Sequence, residues 1–576
     1  MNRNRTSEVC LFSFLAGSWL LASASTSRSA ALEQRRQRAR ASVGLLLLIA
    51  AAHLAALLSG CGSSKPLTPI VTLGNGTYVF HLAGVDYNSK TQNSSSYFVA
   101  GAFTVSEGLI TRGEEDFVDF YGVFPQATIE ASQSGITRTA DGNLQITLYT
   151  GINGPVILGI NGVQTINATL VSSSSARIAE FDASASGTGS LDLQSSPAQP
   201  SGSYAFFAAG LDKSDLPIAI GGIINVDSPG GISGAGSIFD LNDAGVTSPA
   251  YQFGASTVSA PDSYGRVEFA LTPSSSNPTA IPSLELVGYV VDSNTIQLVE
   301  TADALLGTTG GTALSQSGTS FNPGGSTYVF GSLGQEETSG QFASGIGFLD
   351  FAGALAFNNT AGVGGEASFN DIANQLANGS TNTANWSTET TPNGRITVTG
   401  LTTTLSNTPA NLEFYLDGNG NALMISMDAT DVTAGSAFQQ AASPSVSGNY
   451  ALTAQGTTTL STTTTVNGVT VTTTAVYPWA AVGDASATNG TASGFTDLNV
   501  LPNTVVTGGT LTPDVTLSGT STGSGGIMTG TIGGLGYANT SNTYYYYVID
   551  NNHALAIETD ANQLSEAFAV STSTTN

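Results

Sequence analysis

Apolar and polar residues alternate in short runs along most of the chain, and the clearest runs come in pairs. Residues 289–300 (YVVDSNTIQLVE), 414–426 (FYLDGNGNALMIS) and 547–558 (YVIDNNHALAIE) each alternate on both sides of a turn that contains Asp-x-Asn. This is the pattern of a β-hairpin. Residues 176–182 (ARIAEFD) carry a degenerate version. Since no long segment with a 3.6-residue period interrupts these runs, the sequence predicts an all-β protein.

A Gly-x-Tyr or Gly-x-x-Tyr motif recurs four times and sets the period of the chain. It ends at Tyr78, Tyr204, Tyr328 and Tyr450, which are 126, 124 and 122 residues apart, and a proline and a polar stretch precede each copy. Such stretches are typical linkers. The sequence therefore predicts four tandem repeats of about 122 residues, at 76–182, 202–303, 325–428 and 448–576. Limited proteolysis is expected to cut between them, at 183–203, 304–325 and 429–448.

Shorter motifs recur inside these repeats. Gly265-Arg266-Val267-Glu268-Phe269 resembles residues 394–398 (GRITV) and, more weakly, 142–146 (GNLQI), while residues 231–242 (GISGAGSIFDLN) resemble 490–499 (GTASGFTDLN). Each motif reads as a glycine-bearing turn that leads into a strand. At the usual strand length, one repeat holds roughly six to eight antiparallel strands. A closed barrel and a sandwich both fit, and the repeats are expected to extend as a string.

The first sixty residues have the organisation of an export signal. Four arginines at 35, 36, 38 and 40 precede an uncharged run from Val43 to Leu58, which is followed by Ser59, Gly60 and Cys61. Sixteen apolar residues are few for a membrane span of about twenty, so a short transmembrane anchor is the less favoured alternative. Because about thirty residues precede the arginines, the start is either over-extended, with translation beginning near Leu32, or a long n-region.

The tetrad Leu58-Ser59-Gly60-Cys61 resembles the lipobox of bacterial lipoproteins, and the resemblance covers about the first sixty residues. It implies signal cleavage between Gly60 and Cys61, with removal of residues 1–60, and attachment of a diacylglyceryl group and commonly a further acyl chain to Cys61. Two or three chains make a lasting membrane anchor. The resemblance also implies the outer membrane, because Gly62 stands where the family's inner-membrane retention signal has aspartate. Residues 61–75 would form a lipidated tether.

The charge of the chain excludes several classes of function. Residues after Gly60 contain 8 basic and 39 acidic side chains, a net charge of −31. A surface this acidic repels nucleic acid, so a nucleic-acid partner is not expected. Cys10 lies in the removed segment and Cys61 is the anchor, so no disulfide framework is possible.

Few residues carry recognisable chemistry. His81 and His553 are the only histidines after Gly60, and neither has the spacing of a catalytic or metal site, so we expect both to be structural or solvent-facing. Zinc, haem and iron–sulfur sites lack ligands. The densest acidic cluster is Glu114, Glu115, Asp116 and Asp119. On a strand its side chains would divide between the two faces, so a solvated strand edge is favoured over a carboxylate pair of the glycosidase kind.

Two segments resemble weak calcium loops. Residues 417–422 (DGNGNA) begin like a calcium loop with Asp428 at the twelfth position, but Ala422 replaces the expected glycine, and the same place in two other repeats reads as a turn. Residues 240–243 (DLND) are a second, weaker candidate. We favour turns at both and expect no metal and no cofactor.

Repetition without chemistry favours a non-enzymatic, lipid-anchored cell-envelope protein that acts as a surface spacer, adhesin or coat component. Its partners would be the membrane, through the lipid, and surface glycans or other copies of itself. The alternative is a lipoprotein that binds glycans or another small ligand. Trp386 and Trp479 could stack on sugars, although they occupy non-equivalent positions in their repeats and core packing is favoured for both. A surface-tethered hydrolase is the third hypothesis.

The fourth repeat carries an insertion rich in threonine. The interval from its motif tyrosine to the next strand glycine, Tyr450 to Gly483, is 33 residues, against 17 from Tyr204 to Gly221. The extra residues, 457–479, have Asn467-Gly468 at their centre, which is a strong hairpin signal. We predict a hairpin arm that either pairs with a partner by strand addition or is a solvated insertion.

Overall fold

The chain is all-β, and the strands that alternate in sequence also pair in sequence. The computed structural model describes residues 72–573 except 89–92, 120–121, 140–141, 153–158, 160–161, 196, 228, 302–304, 318–320, 337–348, 372–375, 381–383, 390–392, 403–408, 467–468, 502–509, 525, 537–540 and 561–562. The lipobox-like tetrad, with Gly60 and Cys61, lies outside the described residues. Residues Val71–Asn576 form one compact unit.

Every regular element of the described residues is a strand, and the strands fall into four consecutive groups, here called repeats 1 to 4. Repeat 1 consists of β1 (Gly76–Asn88), β2 (Asn93–Ser106), β3 (Leu109–Asp119), β4 (Gly122–Thr128), β5 (Gly135–Arg138), β6 (Leu144–Tyr149), β7 (Val163–Ser172), β8 (Ser175–Glu180) and β9 (Ala185–Leu193). Repeat 2 consists of β10 (Gly202–Asp212), β11 (Pro217–Asp227), β12 (Gly231–Asp243), β13 (Val246–Gln252), β14 (Ser256–Val258), β15 (Arg266–Leu271), β16 (Leu284–Val290), β17 (Thr295–Glu300) and β18 (Leu306–Ser315).

Repeats 3 and 4 follow the same order. Repeat 3 consists of β19 (Thr327–Glu336), β20 (Leu349–Phe357), β21 (Gly362–Asp371), β22 (Leu376–Ser380), β23 (Ala384–Thr388), β24 (Arg395–Leu401), β25 (Ala410–Leu416), β26 (Asn421–Ser426) and β27 (Asp431–Gln439). Repeat 4 consists of β28 (Gly448–Val466), β29 (Val469–Thr488), β30 (Thr491–Val500), β31 (Thr510–Ser524), β32 (Ile527–Gly533), β33 (Ser541–Val548), β34 (His553–Glu558) and β35 (Gln563–Ser571).

Each repeat is an antiparallel meander that curls until its last strand pairs with its first. In repeat 4, β28 to β35 form a closed barrel of eight strands. In repeats 2 and 3 the extra pairings β11–β12 and β20–β21 complete the same circuit, while β13 and β22 attach at its side. In repeat 1 the loop after β4 bridges the remaining gap, because Ile129 N–H donates to Gly113 O (2.9 Å) and Glu130 N–H to Tyr149 O (2.8 Å). Of the two architectures that fit the sequence, each repeat therefore adopts the barrel and not the sandwich.

A separate apolar core fills each barrel. Its members come from alternate positions of the strands, such as Tyr78, Phe80 and Leu82 of β1. Closure gives every strand of the circuit in repeats 2 to 4 a neighbour on both sides, which protects those sheet edges from pairing with other chains.

The recurring motifs now have structural roles. The Asp-x-Asn hairpins are confirmed as β16–β17, β25–β26 and β33–β34, and ARIAEFD contributes β8. The motif tyrosines lie in the first strands, and three of them bind a hairpin turn of their repeat. The hydroxyls of these three donate to turn carbonyls: Tyr78 to Ser173 (2.7 Å), Tyr204 to Ser293 (3.5 Å) and Tyr450 to Asn551 (3.0 Å).

The last strand of repeats 1 to 3 lies beyond the repeat ends expected from the sequence. β9, β18 and β27 fall inside the stretches 183–203, 304–325 and 429–448 and pair with β1, β10 and β19. Each of these strands has a glycine where the first strand passes very close. A Cβ at Gly189, Gly311 or Gly435 would collide with the carbonyl oxygen of His81, Phe207 or Gly331.

The expectation of an extended string is wrong, because the four barrels close into a ring. Apolar clusters lie between repeats 1 and 2, 2 and 3, and 3 and 4, and a smaller one joins Ala179 of repeat 1 to Ala480 and Val482 of repeat 4. Equivalent backbone bonds mark all four junctions. Three are Ser195 N–H to Val291 O (2.9 Å), Ser317 N–H to Asp417 O (3.1 Å) and Ala441 N–H to Ile549 O (2.8 Å). The fourth, Ser573 N–H to Val171 O (3.0 Å), joins the end of repeat 4 to repeat 1.

The threonine-rich insertion forms a hairpin. β28 and β29 remain paired as far as Val466 and Val469, which flank the undescribed Asn467-Gly468. β28 pairs with β35 only between Tyr450 and Thr458, and β29 pairs with β30 only from Trp479 onward. Residues 460–475, here called the Thr-rich arm, therefore pair only with each other among the described strands.

Candidate functional site

A cavity of about 1040 Å³ lies where the four barrels meet. The first strand of every repeat contributes to its wall, for example through His81 of β1, Phe207 of β10, Gly331 of β19 and Thr457 of β28. The last strands contribute further residues, because each pairs with a first strand. A concave, mostly apolar space of this size with a few polar groups is typical of small-molecule sites. The cavity is therefore the candidate site.

Aromatic rings cover the wall where repeats 1, 3 and 4 meet. Phe568 stacks on Phe438 at a centroid distance of 5.7 Å and on His553 at 6.2 Å. The guanidinium carbon of Arg177 lies 4.8 Å from the centroid of the Phe568 ring. Such an arrangement places an aromatic and cationic surface along one side of the cavity.

Two ionisable groups of the wall are held in their neutral form or near it. Burial lowers the pKa of His81 to about 4, so its imidazole is neutral at pH 7. Within the part of the chain that the structure describes, its Nε2 has no hydrogen-bond partner. Burial raises the pKa of Glu566 to about 7. Glu566 retains some accessible surface because it faces the cavity, but protein surrounds it on its other sides. Both groups could exchange a proton or a hydrogen bond with a bound molecule.

The two histidines expected to be structural or solvent-facing both line the cavity, in repeats 1 and 4. His81 projects from β1, while His553 begins β34 and its Nδ1 lies 3.0 Å from both carboxylate oxygens of Asp550. Asp550 also accepts the backbone N–H groups of Asn552 and His553. The sequence gives no sign that the two histidines line one cavity, because they lie in repeats 1 and 4, which come together only when the ring closes.

The expectation of a solvated edge for the acidic cluster is wrong. Glu114, Glu115, Asp116 and Asp119 are all buried, because β3 lies between β2 and β4 and has covered faces on both sides. The predicted division between faces is found. Phe117 belongs to the barrel core, while Val118 belongs to the junction with repeat 2.

Asp116 faces repeat 2 and forms a buried ion pair there. Arg266 donates to its two oxygens from Nε (2.8 Å) and Nη2 (3.0 Å), and the Tyr289 hydroxyl donates at 2.6 Å. Asp240, from the second calcium candidate, does the same at the next junction, with Arg395 at 2.6 and 2.8 Å and Tyr415 at 2.8 Å. The Gly-Arg motif at 394–395 and the Asp-Leu-Asn motif at 240–242 are thus the two halves of the junction between repeats 2 and 3.

At the other two junctions, one or both partners of the ion pair are replaced. Between repeats 3 and 4, Ser368 stands at the position of the aspartate, Ile527 at that of the arginine, and the Ser368 and Tyr547 hydroxyls lie 2.6 Å apart. Between repeats 4 and 1, Asp497 accepts the amides of Asn167 (2.8 Å) and Asn143 (3.4 Å). Asn143 occupies the position of the arginines, so each acid of the ring meets the donor side of the next barrel.

The turn interpretation of residues 417–422 agrees with the geometry. Asp417 accepts the backbone N–H groups of Asn419 (2.6 Å) and Asn421 (2.9 Å). Asp428 lies at the other end of β26 and accepts the backbone and side-chain N–H groups of Asn411. Among the residues that the structure describes, no group of three or more His, Cys, Asp or Glu is arranged to hold a metal ion.

The tryptophans occupy different environments. Trp386 packs on Phe357 at the edge of the repeat 3 core and donates to Asn358 O at 3.0 Å. Trp479 is buried in the repeat 4 core and reaches the cavity wall. Its Nε1 has no hydrogen-bond partner among the residues that the structure describes. Within the described ranges no helix is long and apolar enough to span a bilayer.

Comparison with known proteins gives no family. No protein-family model and no curated protein matches the chain. The crystal structure of an AttH candidate from Nitrosomonas europaea is 12% identical and covers 44% of this chain and 97% of its own, with a TM-score of 0.17. The siderophore receptor PirA from Acinetobacter baumannii is 8% identical and covers 87% of this chain and 81% of its own, with a TM-score of 0.13. At these TM-scores neither likeness bears on fold or function.

Proposed function

We propose that this protein is a non-enzymatic, lipid-anchored envelope protein whose ring of four β-barrels binds a small, largely apolar ligand in the central cavity. One observation carries the proposal: all four repeats contribute to the wall of a cavity of about 1040 Å³. A spacer or coat protein needs no such space, whereas a ligand of drug-like size fits cavities of roughly 300–1,000 Å³. The sequence hypothesis of a small-ligand lipoprotein is therefore preferred over that of a spacer.

Titration of the chain from Gly62 to Asn576 with a neutral, apolar fluorescent probe tests the proposal, because residues Val71–Asn576 form one compact unit. We expect saturable binding of one probe per chain. Ala83→Phe, which fills part of the cavity, should weaken binding, and Ala260→Phe, at an exposed position outside it, should not. Absence of saturable binding, or equal effects of the two variants, would contradict the proposal.

The envelope location rests on the lipobox-like tetrad, Leu58-Ser59-Gly60-Cys61. Cys61→Ala should leave unprocessed precursor or release the protein into soluble fractions. Metabolic labelling with a fatty acid such as palmitate is the direct measurement. Wild-type protein that stays unlabelled would remove the support for an anchor.

A second candidate function is adhesion or self-association through the Thr-rich arm. Residues 460–475 extend beyond the barrel wall as a two-stranded ladder with backbone groups available on both edges. Such an edge can accept an additional strand from another chain. This function is compatible with a ligand in the cavity, because the arm and the cavity use different residues.

A further inference from the structure

The charge of the cavity wall is incompletely balanced, and the imbalance lies at Glu566 in β35. Its neighbour Ala567 points into the barrel core, so Glu566 points outward, to the cavity. A Cβ built at Gly331 of repeat 3 would lie 2.5 Å from Glu566 Oε1. A glycine at position 331 is therefore what leaves room for the carboxylate.

No ion pair or hydrogen bond to Glu566 is found among the described residues. The other charged groups of the wall are engaged elsewhere. The Arg177 guanidinium covers the Phe568 ring, and Asp550 is paired with His553. His81 is neutral at pH 7, since burial lowers its pKa to about 4. A carboxylate in apolar surroundings without a counter-ion is unfavourable, and a cation that entered the cavity would remove that cost.

The surroundings of Glu566 also suit an organic cation rather than a hydrated ion. Phe568 follows two residues later on the same face of β35, and Phe438 stacks on it. Aromatic rings attract organic cations and cover apolar groups attached to them. A hydrated metal ion would instead need several oxygen ligands.

Building on the proposed function, we infer that the ligand of the central cavity is an organic cation with an apolar body, and that the Glu566 carboxylate binds its positive charge. Three probes with one body separate this inference from the cavity proposal: 4-phenylbutylammonium, 4-phenylbutanol and 4-phenylbutyrate. Calorimetry on the chain from Gly62 to Asn576 measures their affinities. We expect the ammonium to bind about tenfold or more tighter than the alcohol, the usual effect of a charged hydrogen bond.

Glu566→Gln should abolish the preference for the ammonium and leave the affinity for the alcohol unchanged. Asp550→Asn is the matched control, because it removes a negative charge from the same wall while its amide oxygen can still accept the turn hydrogen bonds. This control should retain the preference. In the wild type the preference should also fade as the pH drops from 8 to 5, because the Glu566 carboxyl, with a pKa of about 7, becomes protonated.

The outcomes distinguish the two proposals. If the alcohol binds as tightly as the ammonium, if the butyrate binds tightest, or if Glu566→Gln keeps the preference, the inference is overturned while the cavity remains a ligand site. If none of the three probes binds, both are overturned.

Discussion

Acidic residues inside repeat 1 explain much of its expected response to pH. Glu115 is fully buried, neither of its oxygens has a hydrogen-bond partner among the described residues, and burial raises its pKa to about 8. The folded protein therefore holds a proton that the unfolded chain releases near pH 4.5. Because the folded state binds more protons between these values, the free energy of unfolding should fall as pH rises from about 4.5 to about 8.

Glu115→Gln should flatten this part of the pH dependence, since glutamine does not titrate. At pH 8 the variant should exceed the wild type in stability by a few kcal/mol relative to their difference at pH 5. Urea unfolding at pH 5, 6.5 and 8 measures the slope. Glu107→Gln, at an exposed position, is the control and should keep the wild-type slope. Parallel pH profiles for Glu115→Gln and wild type would contradict the assignment.

The two carboxylates that meet Arg266 allow a matched test of the junction between repeats 1 and 2. Asp116 has no exposed side-chain surface, while Glu268 is 66% exposed. Asp116→Asn leaves the arginine without its buried counter-ion and should cost about 3–5 kcal/mol. Glu268→Gln should cost less than about 1 kcal/mol, as exposed pairs do. Chemical denaturation of both variants gives the comparison, and equal losses would show that the buried pair contributes nothing special.

At the scale of elements, strands with strong alternation were predictable and strands with close backbone contact were not. The hairpins around Asp292, Asp417 and Asp550 follow from turn chemistry, since each aspartate accepts backbone N–H groups of its own turn. β9, β18 and β27 were not predicted as strands, because glycine interrupts the alternation of apolar and polar side chains in each of them. Glycine is required at these positions because the neighbouring strand passes close by, and no side chain is buried there.

The Thr-rich arm is the element whose removal should leave the rest of the fold unchanged. Replacement of residues 460–475 by Asn-Gly connects Thr459 to Val476, which are already partners, through a favoured two-residue turn. We expect unchanged thermal unfolding and cavity binding but weaker self-association in analytical ultracentrifugation. An arm of full length with Thr463→Lys and Thr474→Lys, which deters edge pairing, should behave in the same way. Wild-type association in both variants would identify the arm as an insertion without a partner.

At the scale of the whole molecule, the ring depends on contacts that no local pattern announces. Asp116 and Arg266 are 150 residues apart, and Asp240 and Arg395 are 155 apart. The sequence predicts strands at both motifs and is right about them, but it contains no local sign that one motif binds the other across a junction. The cavity was beyond sequence reasoning for the same reason, since each of its residues looks ordinary within its own strand.

Closure of the ring can be tested with two equivalent asparagines. The Asn499 amide donates to Glu180 O (2.9 Å), Asp182 O (3.0 Å) and Ala185 O (2.7 Å), across the junction between repeats 4 and 1. The Asn242 amide makes the same kind of contact between repeats 2 and 3, with three carbonyls at 3.0–3.1 Å. Of these two junctions, only the one between repeats 2 and 3 is also joined by a short link of chain.

Asn499→Ala should therefore open the ring, whereas Asn242→Ala should leave it closed despite a similar loss of hydrogen bonds. Small-angle X-ray scattering should give a larger radius of gyration for Asn499→Ala and the wild-type value for Asn242→Ala. Binding in the cavity should weaken in the opened variant, because repeats 1 and 4 both form its wall. Identical scattering from the two variants would mean that the remaining contacts of the junction, the Asp497 hydrogen bonds and the apolar contact of Ala179 with Ala480 and Val482 among them, suffice to close the ring.

The four junctions also predict how an incomplete chain should behave. Each barrel contacts its neighbours through one face formed by its first strands and another formed by its later strands, so the contact is head to tail. Such contacts close a ring when the geometry allows it and otherwise continue into a fibre. A product cut short before repeat 4 would carry one unsatisfied face of each kind. We therefore expect truncated copies to associate with one another, whereas in the complete chain repeat 4 covers both faces.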